Sequence, residues 1–215
     1  MANSLNTYNF LKKKFKKAEF TGQWLESIGK PELAGLWFCW GKSGQGKTSF
    51  LLQLAKYLSE NFGRVAFNSL EQGHSLSLQT AAIREGIKPN AKSIEWLDKA
   101  PLSEVRNMLD AHKSPRFIVT DTIQRSGLKY REFVDFMNDY PNKLFIVNSQ
   151  ADRAGNPLKS VAESLWYDAD VKIRIEGFKA YINSRFESGD EIGKEFIINQ
   201  RLSDLFEAKL LKTIK

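Results

Sequence analysis

The residues with the most specific chemistry lie at 41–48 and read Gly-Lys-Ser-Gly-Gln-Gly-Lys-Thr. They fit the pattern G-x-x-x-x-G-K-[ST], whose glycines let the backbone curl until several N–H groups point at one phosphate chain. We expect Lys47 to reach the β- and γ-phosphates and the Thr48 hydroxyl to hold Mg²⁺. The alternative is a glycine-rich turn without a ligand, but it leaves the lysine and the threonine unexplained. The pattern therefore predicts that ATP and Mg²⁺ bind to Gly41, Lys42, Ser43, Gly44, Gln45, Gly46, Lys47, Thr48 and Ser49.

A carboxylate ends a second apolar segment. Residues 117–120 read Phe-Ile-Val-Thr and are followed by Asp121. On a buried strand that ends beside the phosphate-binding residues, this aspartate would orient Mg²⁺ next to Thr48, usually through water. The alternative is an aspartate that caps the next element. The glycine-rich pattern upstream favours the metal-binding interpretation of Asp121.

Two more polar residues follow predicted strands. Glu71 comes shortly after the segment 65–68, and Gln150 comes shortly after 144–148. The carboxyl ends of parallel strands meet at one edge of a sheet, where the ligands of α/β proteins bind. There Glu71 could act as a general base toward water, and Gln150 could contact the γ-phosphate and report its loss. The alternatives are a solvated loop glutamate and an ordinary turn residue.

These residues need a scaffold in which strands and helices alternate. Residues 36–40 form a continuous apolar run, as a strand buried on both faces does, and 48–58 carry apolar residues at helical spacing. The alternation repeats, and it predicts an α/β fold with a mostly parallel sheet, helices on both faces and a C-terminal antiparallel strand pair. The other predicted strands are 65–68, 93–97, 117–120, 144–148 and 171–175, with the antiparallel pair at 178–186 and 194–199. The other predicted helices are 5–18, 75–85, 102–112, 130–139, one ending near 167, and 201–215, while 21–35 is predicted to be irregular.

Composition excludes several other classes of protein. The 215 residues include 32 Lys and Arg and 25 Asp and Glu, and the formal net charge of +7 favours polyanionic partners. Cys39 is the single cysteine, so an intramolecular disulfide framework and a cysteine-based zinc site are excluded. No signal peptide is visible and the longest apolar run is too short to cross a membrane, so we expect a cytoplasmic protein. We divide the chain into a basic arm and lead-in at 1–34, a core at 35–200 and a C-terminal helix at 201–215.

Together these residues resemble the RecA-like branch of the P-loop ATPases, which includes the RecA and RadA recombinases and the DnaB-type replicative helicases. Residues 41–48 match the Walker A motif, and Asp121 matches Walker B. Glu71 matches the catalytic glutamate of that family, and Gln150 matches the glutamine that leads into a DNA-facing loop. The resemblance covers about residues 35–200 and looks closest to small RecA-like ATPases of phages and mobile elements.

The resemblance implies a sheet in which the strand 144–148 lies between the Walker A and Walker B strands, which are neighbours in P-loop kinases. It also implies ATP hydrolysis in a homo-oligomer, either a hexamer or a filament. In such an assembly the arginine of a late K-x-R motif acts on a neighbour's nucleotide. The matching residues are Asn183-Ser184-Arg185. Arg185 is therefore predicted to act in trans, although Asn183 replaces the lysine of the motif.

The resemblance further implies two DNA-binding loops, one after the Walker B strand and one after Gln150. Cations in flexible loops suit contact with the backbone of single-stranded DNA, and the alternative is ordinary solvated loops. The protein would then act in recombination, repair or replication. The lysines at 12–17 could bind phosphates or form the solvated face of a helix. The predicted nucleic-acid residues are Arg125, Lys129, Arg131, Arg153 and Lys159.

Two other functions stay open at the level of the sequence. A small-molecule or nucleoside kinase would transfer phosphate to an acceptor, but the sequence has no arginine-rich lid. An ATP-switched scaffold would bind ATP tightly and hydrolyse it slowly. The first alternative requires adjacent Walker strands, and the second requires a turnover that hardly depends on Glu71.

Overall fold

The computed structural model describes residues 4–15, 17–91, 93–158, 161–186 and 195–213. These residues contain one mixed sheet with helices packed on both of its faces. The strands are β1 (Gly35–Gly41), β2 (Val65–Ser69), β3 (Ile94–Asp98), β4 (Phe117–Asp121), β5 (Leu144–Gln150), β6 (Val171–Glu176), β7 (Lys179–Ser184) and β8 (Phe196–Ile197). The helices are α1 (Thr7–Lys12), α2 (Gly22–Ile28), α3 (Lys47–Asn61), α4 (Leu76–Arg84), α5 (Leu102–Asp110), α6 (Tyr130–Asn138), α7 (Val161–Asp168) and α8 (Gln200–Thr213). A short 3₁₀ turn at Ile123–Arg125 follows β4.

The strand order is β3-β2-β4-β5-β1-β6-β7-β8. The strands from β3 to β6 in this order are parallel, and β7 and β8 continue the sheet in antiparallel pairing. The expected insertion of β5 between β1 and β4 is therefore confirmed. Since the parallel strands point the same way, the residues that follow β1, β2, β4 and β5 are gathered at one edge of the sheet.

Side-chain alternation along β1 explains why helices cover both faces of the sheet. Trp37 and Cys39 are fully buried on the face that packs against α3, where Phe50 lies in the same cluster. Phe38 and Trp40 point to the opposite face, which is covered by α5, α6 and α7. Burial of large apolar side chains on both faces stabilises the strand from which the phosphate-binding residues extend.

The lead-in at 21–35 contains a helix that the sequence did not predict. The glycines that flank α2 suggested irregular structure, but Trp24 and Ile28 lie one turn apart and are both buried. The Trp24 ring stacks on Tyr57 of α3 and contacts Phe196 of β8, with centroid distances of 5.3 and 4.1 Å. Tertiary packing therefore overrides the local preference of this segment.

The N-terminal helix is shorter than the predicted span of 5–18. It ends at Lys12 because the chain then becomes extended and joins the lead-in, where the Ala18 N–H donates to the Pro31 carbonyl at 2.8 Å. No residue of α1 is buried, and Leu11 is 75% exposed. The arm is thus held at its base alone within the described residues.

The closing strand pair is confirmed, with β7 and β8 antiparallel. The predicted turn at 187–190 and the start of the second strand at Lys194 lie outside the described residues. The C-terminal tail forms α8, as predicted. Among the described residues, none of the helices is both long and apolar enough to span a bilayer.

Candidate nucleotide-binding site

The phosphate loop, residues 41–48, joins the end of β1 to the start of α3. Gly44 and Gly46 have φ angles of 74° and 100°, which residues with a Cβ rarely adopt. A Cβ on Gly41 would overlap the carbonyl oxygen of Ile175 on β6. No side chain caps the amino end of α3, so the positive end of its dipole is open to an anion. The loop has the backbone that phosphate binding requires.

The tip of the phosphate loop is tied to the turn between β6 and β7. The Gly177 N–H donates to Gln45 Oε1 at 2.7 Å, and the Phe178 N–H donates to the Gln45 carbonyl at 3.2 Å. Phe206 of α8 packs on the other side of this turn, where a Cβ on Gly177 would lie 2.5 Å from its ring. Contacts within the protein therefore fix the shape of the loop tip.

Lys47 lies at the start of α3 with its ammonium group turned back over the loop. Its Nζ donates to the Lys42 carbonyl at 2.8 Å. Burial lowers the pKa of Lys47, while the nearby Asp121 and Glu71 carboxylates act in the opposite direction. The ammonium group thus shares one cleft with the two acidic residues that the sequence singled out.

Asp121 is the buried carboxylate at the end of β4. Its Oδ1 accepts hydrogen bonds from Asn148 Nδ2 at 2.5 Å and from Thr122 Oγ1 at 3.0 Å. Its Oδ2 is buried and has no partner among the described residues. Burial raises the pKa of Asp121, although the two hydrogen bonds lower it. A buried carboxylate oxygen without a donor is suited to a cation or to the water that a cation carries.

Magnesium fits this site. Mg²⁺ is usually held by one or two protein oxygens, several waters and the phosphates of the substrate. Thr48 and Asp121 line the same cleft and provide a hydroxyl and a carboxylate. These two residues are the ones that the sequence assigned to the metal.

Glu71 is held at the cleft by the end of β4. The N–H groups of Leu70 and Glu71 donate to the Asp121 carbonyl, at 2.6 and 3.2 Å. The Glu71 carboxylate accepts a hydrogen bond from Thr122 Oγ1 at 2.9 Å, although the residue as a whole is exposed. A carboxylate that is exposed yet anchored at one oxygen can accept a proton from a water molecule.

Gln150 is the last residue of β5 and pairs in register with Gly41. It lines the cleft beside the phosphate loop. Its N–H donates to Gln124 Oε1 at 3.4 Å, and Gln124 Nε2 donates to Ser149 Oγ at 2.7 Å. Gln124 therefore links the end of β5 to the segment that follows β4.

The cleft has a volume of about 330 Å³ and two different ends. We call the buried group around Asp121 the inner end; it comprises Glu71, Asp121, Thr122 and Asn148. The outer end comprises Ser49, Arg84 and Phe178. There Arg84 Nη2 donates to Ser49 Oγ at 3.0 Å, and the Phe178 ring lies over Gly46.

Four of these residues were missed by the reasoning from sequence: Thr122, Asn148, Arg84 and Phe178. Thr122 and Asn148 carry a weak signal, since each is a polar residue at the end of an otherwise apolar strand. Arg84 and Phe178 carry none, because their neighbours in the cleft are distant in sequence.

Arg185 is not brought to the cleft of its own chain. It follows Ser184, which pairs with Val171 at the amino end of β6, so it lies at the edge of the sheet opposite the phosphate loop. Its guanidinium group lies 3.5 Å from the Asp170 carboxylate and donates to the Tyr167 carbonyl at 3.2 Å. A role in a neighbour's site stays a prediction.

The predicted nucleic-acid residues are exposed on segments that leave the cleft. Arg125 lies in the 3₁₀ turn after β4, followed by Lys129 and Arg131 at the start of α6. Arg153 lies in the loop after β5, which Trp40 anchors through a hydrogen bond from Nε1 to the Gly155 carbonyl at 3.1 Å. Lys159 is outside the described residues.

Comparison with solved structures reveals the type of fold. The flagellar accessory protein FlaH from Methanocaldococcus jannaschii superposes with a TM-score of 0.57 at 14% identity, over 80% of this chain and 87% of that chain. The chain has a RecA-like P-loop ATPase fold.

Two further structures are similar to a smaller extent. A separately solved ATPase domain gives a TM-score of 0.48 at 18% identity, over 71% of this chain and 77% of that chain. A DnaB-like replicative helicase, solved for its interactions with primase, gives 0.46 at 19% identity, over 65% of this chain and 46% of that chain. Neither a protein-family model nor a curated protein matches the sequence.

Proposed function

We propose that the protein binds Mg·ATP in the cleft and hydrolyses it. The observation that carries this proposal is the convergence of the phosphate loop, Glu71, Asp121 and Gln150 in one cleft, although they come from four separate segments of the chain. A structural glycine-rich turn has no need for two carboxylates and an amide around it. The RecA-like fold agrees with this interpretation.

Each residue has a defined task in the proposed reaction. The backbone of the phosphate loop and Lys47 bind the phosphate chain, and Thr48 and Asp121 hold the cation. Bound Mg²⁺ neutralises charge on the β- and γ-phosphates. Glu71 accepts a proton from the water that attacks the γ-phosphorus, and Gln150 contacts the γ-phosphate.

We further propose that the ATPase acts on single-stranded DNA in recombination, repair or replication, as a hexamer or filament. Support comes from the exposed cations Arg125, Lys129, Arg131 and Arg153, on segments that leave adjacent strands beside the cleft. The Gln124–Ser149 hydrogen bond connects these two segments. Arg185 lies away from its own cleft, which agrees with action on a neighbour's nucleotide.

The decisive experiment measures ATP hydrolysis at low salt, with and without single-stranded DNA, for the wild type and for Glu71→Gln. We expect DNA to stimulate the wild type, and we expect the variant to lose about 10²- to 10⁴-fold in kcat, the usual contribution of a general base. ATP binding should persist in the variant. Glu104→Gln makes the same change on the exposed first turn of α5 and should leave turnover unchanged.

Other results would favour the alternatives. Tight ATP binding with slow turnover that is indifferent to DNA and to Glu71→Gln would indicate an ATP-switched scaffold. Transfer of phosphate to an acceptor would indicate a kinase. The position of β5 between β1 and β4 already disfavours the kinase.

A further inference from the structure

The Thr122 hydroxyl lies between the two carboxylates of the inner end. Its Oγ1 is 2.9 Å from Glu71 Oε2 and 3.0 Å from Asp121 Oδ1. A threonine hydroxyl carries one proton, so it can donate to one of these carboxylates at a time. Thr122 is 1% exposed, and water therefore cannot easily replace it as a donor.

Asn148 decides which carboxylate receives that proton. Its Nδ2 donates to Asp121 Oδ1 at 2.5 Å and lies 3.4 Å from Thr122 Oγ1. Asp121 Oδ1 is thus already supplied with a donor, and the weaker contact from Asn148 turns a lone pair of Thr122 toward the amide. The Thr122 proton is then free to point at Glu71.

Glu71 needs such a donor. Its backbone is fixed by the Asp121 carbonyl, but its side chain is long and exposed, and such a side chain samples several rotamers in solution. Across the described part of the chain, Thr122 is the one side chain that donates a hydrogen bond to the Glu71 carboxylate. Anchoring Oε2 leaves Oε1 to meet a water molecule in the cleft.

We propose that Thr122 is a positioning residue, which holds the Glu71 carboxylate in the orientation needed to take a proton from the attacking water, with Asn148 orienting the Thr122 hydroxyl. The inference rests on the proposed ATP hydrolysis and assigns to it a residue outside the Walker motifs. Thr122 touches neither nucleotide nor water in this scheme.

The test compares side chains that separate the hydroxyl from its packing. Thr122→Val keeps the volume and loses the hydroxyl, whereas Thr122→Ser keeps the hydroxyl and loses a methyl group. A packing role predicts that valine is the better replacement, and the positioning role predicts serine. Should valine prevent folding, Thr122→Ala against Thr122→Ser isolates the hydroxyl, because both lack the methyl group.

We expect kcat to fall by about 10- to 100-fold in Thr122→Val, as misplacement of a reacting group does. KM and the affinity for a non-hydrolysable ATP analogue should stay within about threefold of the wild type, because Thr122 contributes no ground-state binding. Thr122→Ser should recover most of the lost kcat. Melting temperatures of all variants provide the check on folding.

A double variant gives the second readout. In the Glu71→Gln background, Thr122→Val should have little further effect on kcat, because the group that it positions is already absent. A full additional loss in that background would overturn the inference. So would an unchanged kcat in Thr122→Val, or a weaker serine variant than valine variant. Absence of hydrolysis by the wild type would instead refute the proposed function, and the inference with it.

Discussion

The inner and outer ends of the cleft differ in how their side chains are held. At the inner end, Asp121, Thr122 and Asn148 are each about 1% exposed and bond to one another. At the outer end, Arg84 is exposed and Phe178 is partly so, and their contacts are few. The comparison teaches that groups around a reacting phosphate are fixed by the protein, whereas groups that can only contribute affinity are left adaptable.

The largest expected effect tests whether the phosphate loop unites the two ends. Lys47→Ala should lower ATP turnover by at least about 100-fold, because removal of one preorganised donor from developing charge has that effect. It should also weaken nucleotide binding, unlike changes confined to the inner end. Steady-state kinetics together with calorimetric titration of an ATP analogue would measure both.

The control for this prediction is Lys88→Ala, which removes an exposed lysine from the loop after α4. It should behave as the wild type in both measurements. Turnover retained in Lys47→Ala would contradict the assignment of the cleft to phosphate.

The inner end should carry a cost in stability that the outer end lacks. Burial raises the pKa of Asp121, so the folded protein binds this proton more tightly than the unfolded chain does. Stability therefore falls as the pH rises from the unfolded pKa through the folded one, and it stays reduced above both. Asp121→Asn removes the charge and keeps an oxygen for the Asn148 and Thr122 donors.

We expect Asp121→Asn to raise the melting temperature at pH 8 by about 2–4 °C, equivalent to about 1 kcal/mol in a chain of this size. The gain should shrink as the pH approaches 4. Calorimetry without nucleotide would measure it, with Asp135→Asn on the exposed side of α6 as the matched control. A variant that melts below the wild type at pH 8 would show that the inner end is not strained by its charge.

The smallest expected effect concerns the outer end. Phe178 has a φ of 59°, a left-handed value that a residue with a Cβ adopts at some cost. Phe178→Gly should therefore not lower the melting temperature through the backbone, yet it removes the ring beside the phosphate loop. We expect KM for ATP to rise about three- to fivefold, near the value of one aromatic contact, with kcat unchanged.

This pattern is the reverse of the one expected for Thr122→Val, so the two variants together sharpen the comparison between the ends. Phe186→Ala removes an exposed ring beyond β7 and serves as the control. A fall in kcat with unchanged KM in Phe178→Gly would abolish the distinction between the two ends.

The parts that could be predicted from sequence are those whose signal is local. The phosphate loop is a contiguous pattern, and Asp121 and Gln150 follow apolar runs that can be recognised as strands. Their meeting in one cleft follows from the parallel order of those strands. The position of β5 between β1 and β4 came from the resemblance rather than from spacing.

What could not be predicted depends on distant neighbours. The helix α2 is stabilised by Tyr57 and Phe196, and α1 stops where the chain pairs with Pro31. The importance of Thr122 depends on a carboxylate 51 positions earlier in the chain and on an amide 26 positions later. No window of local sequence contains these partners.

Gln45 occupies one of the unspecified positions of the phosphate-loop pattern, yet it is bonded through both its side chain and its main chain to the turn after β6. That turn in turn supports Phe206 of α8. Any shift of the loop tip when a phosphate arrives must therefore displace this turn, and the C-terminal helix with it. A fluorescent label on the exposed side of α8 would then act as a remote gauge of occupancy, more than a hundred and fifty residues along the chain from the loop that it reports.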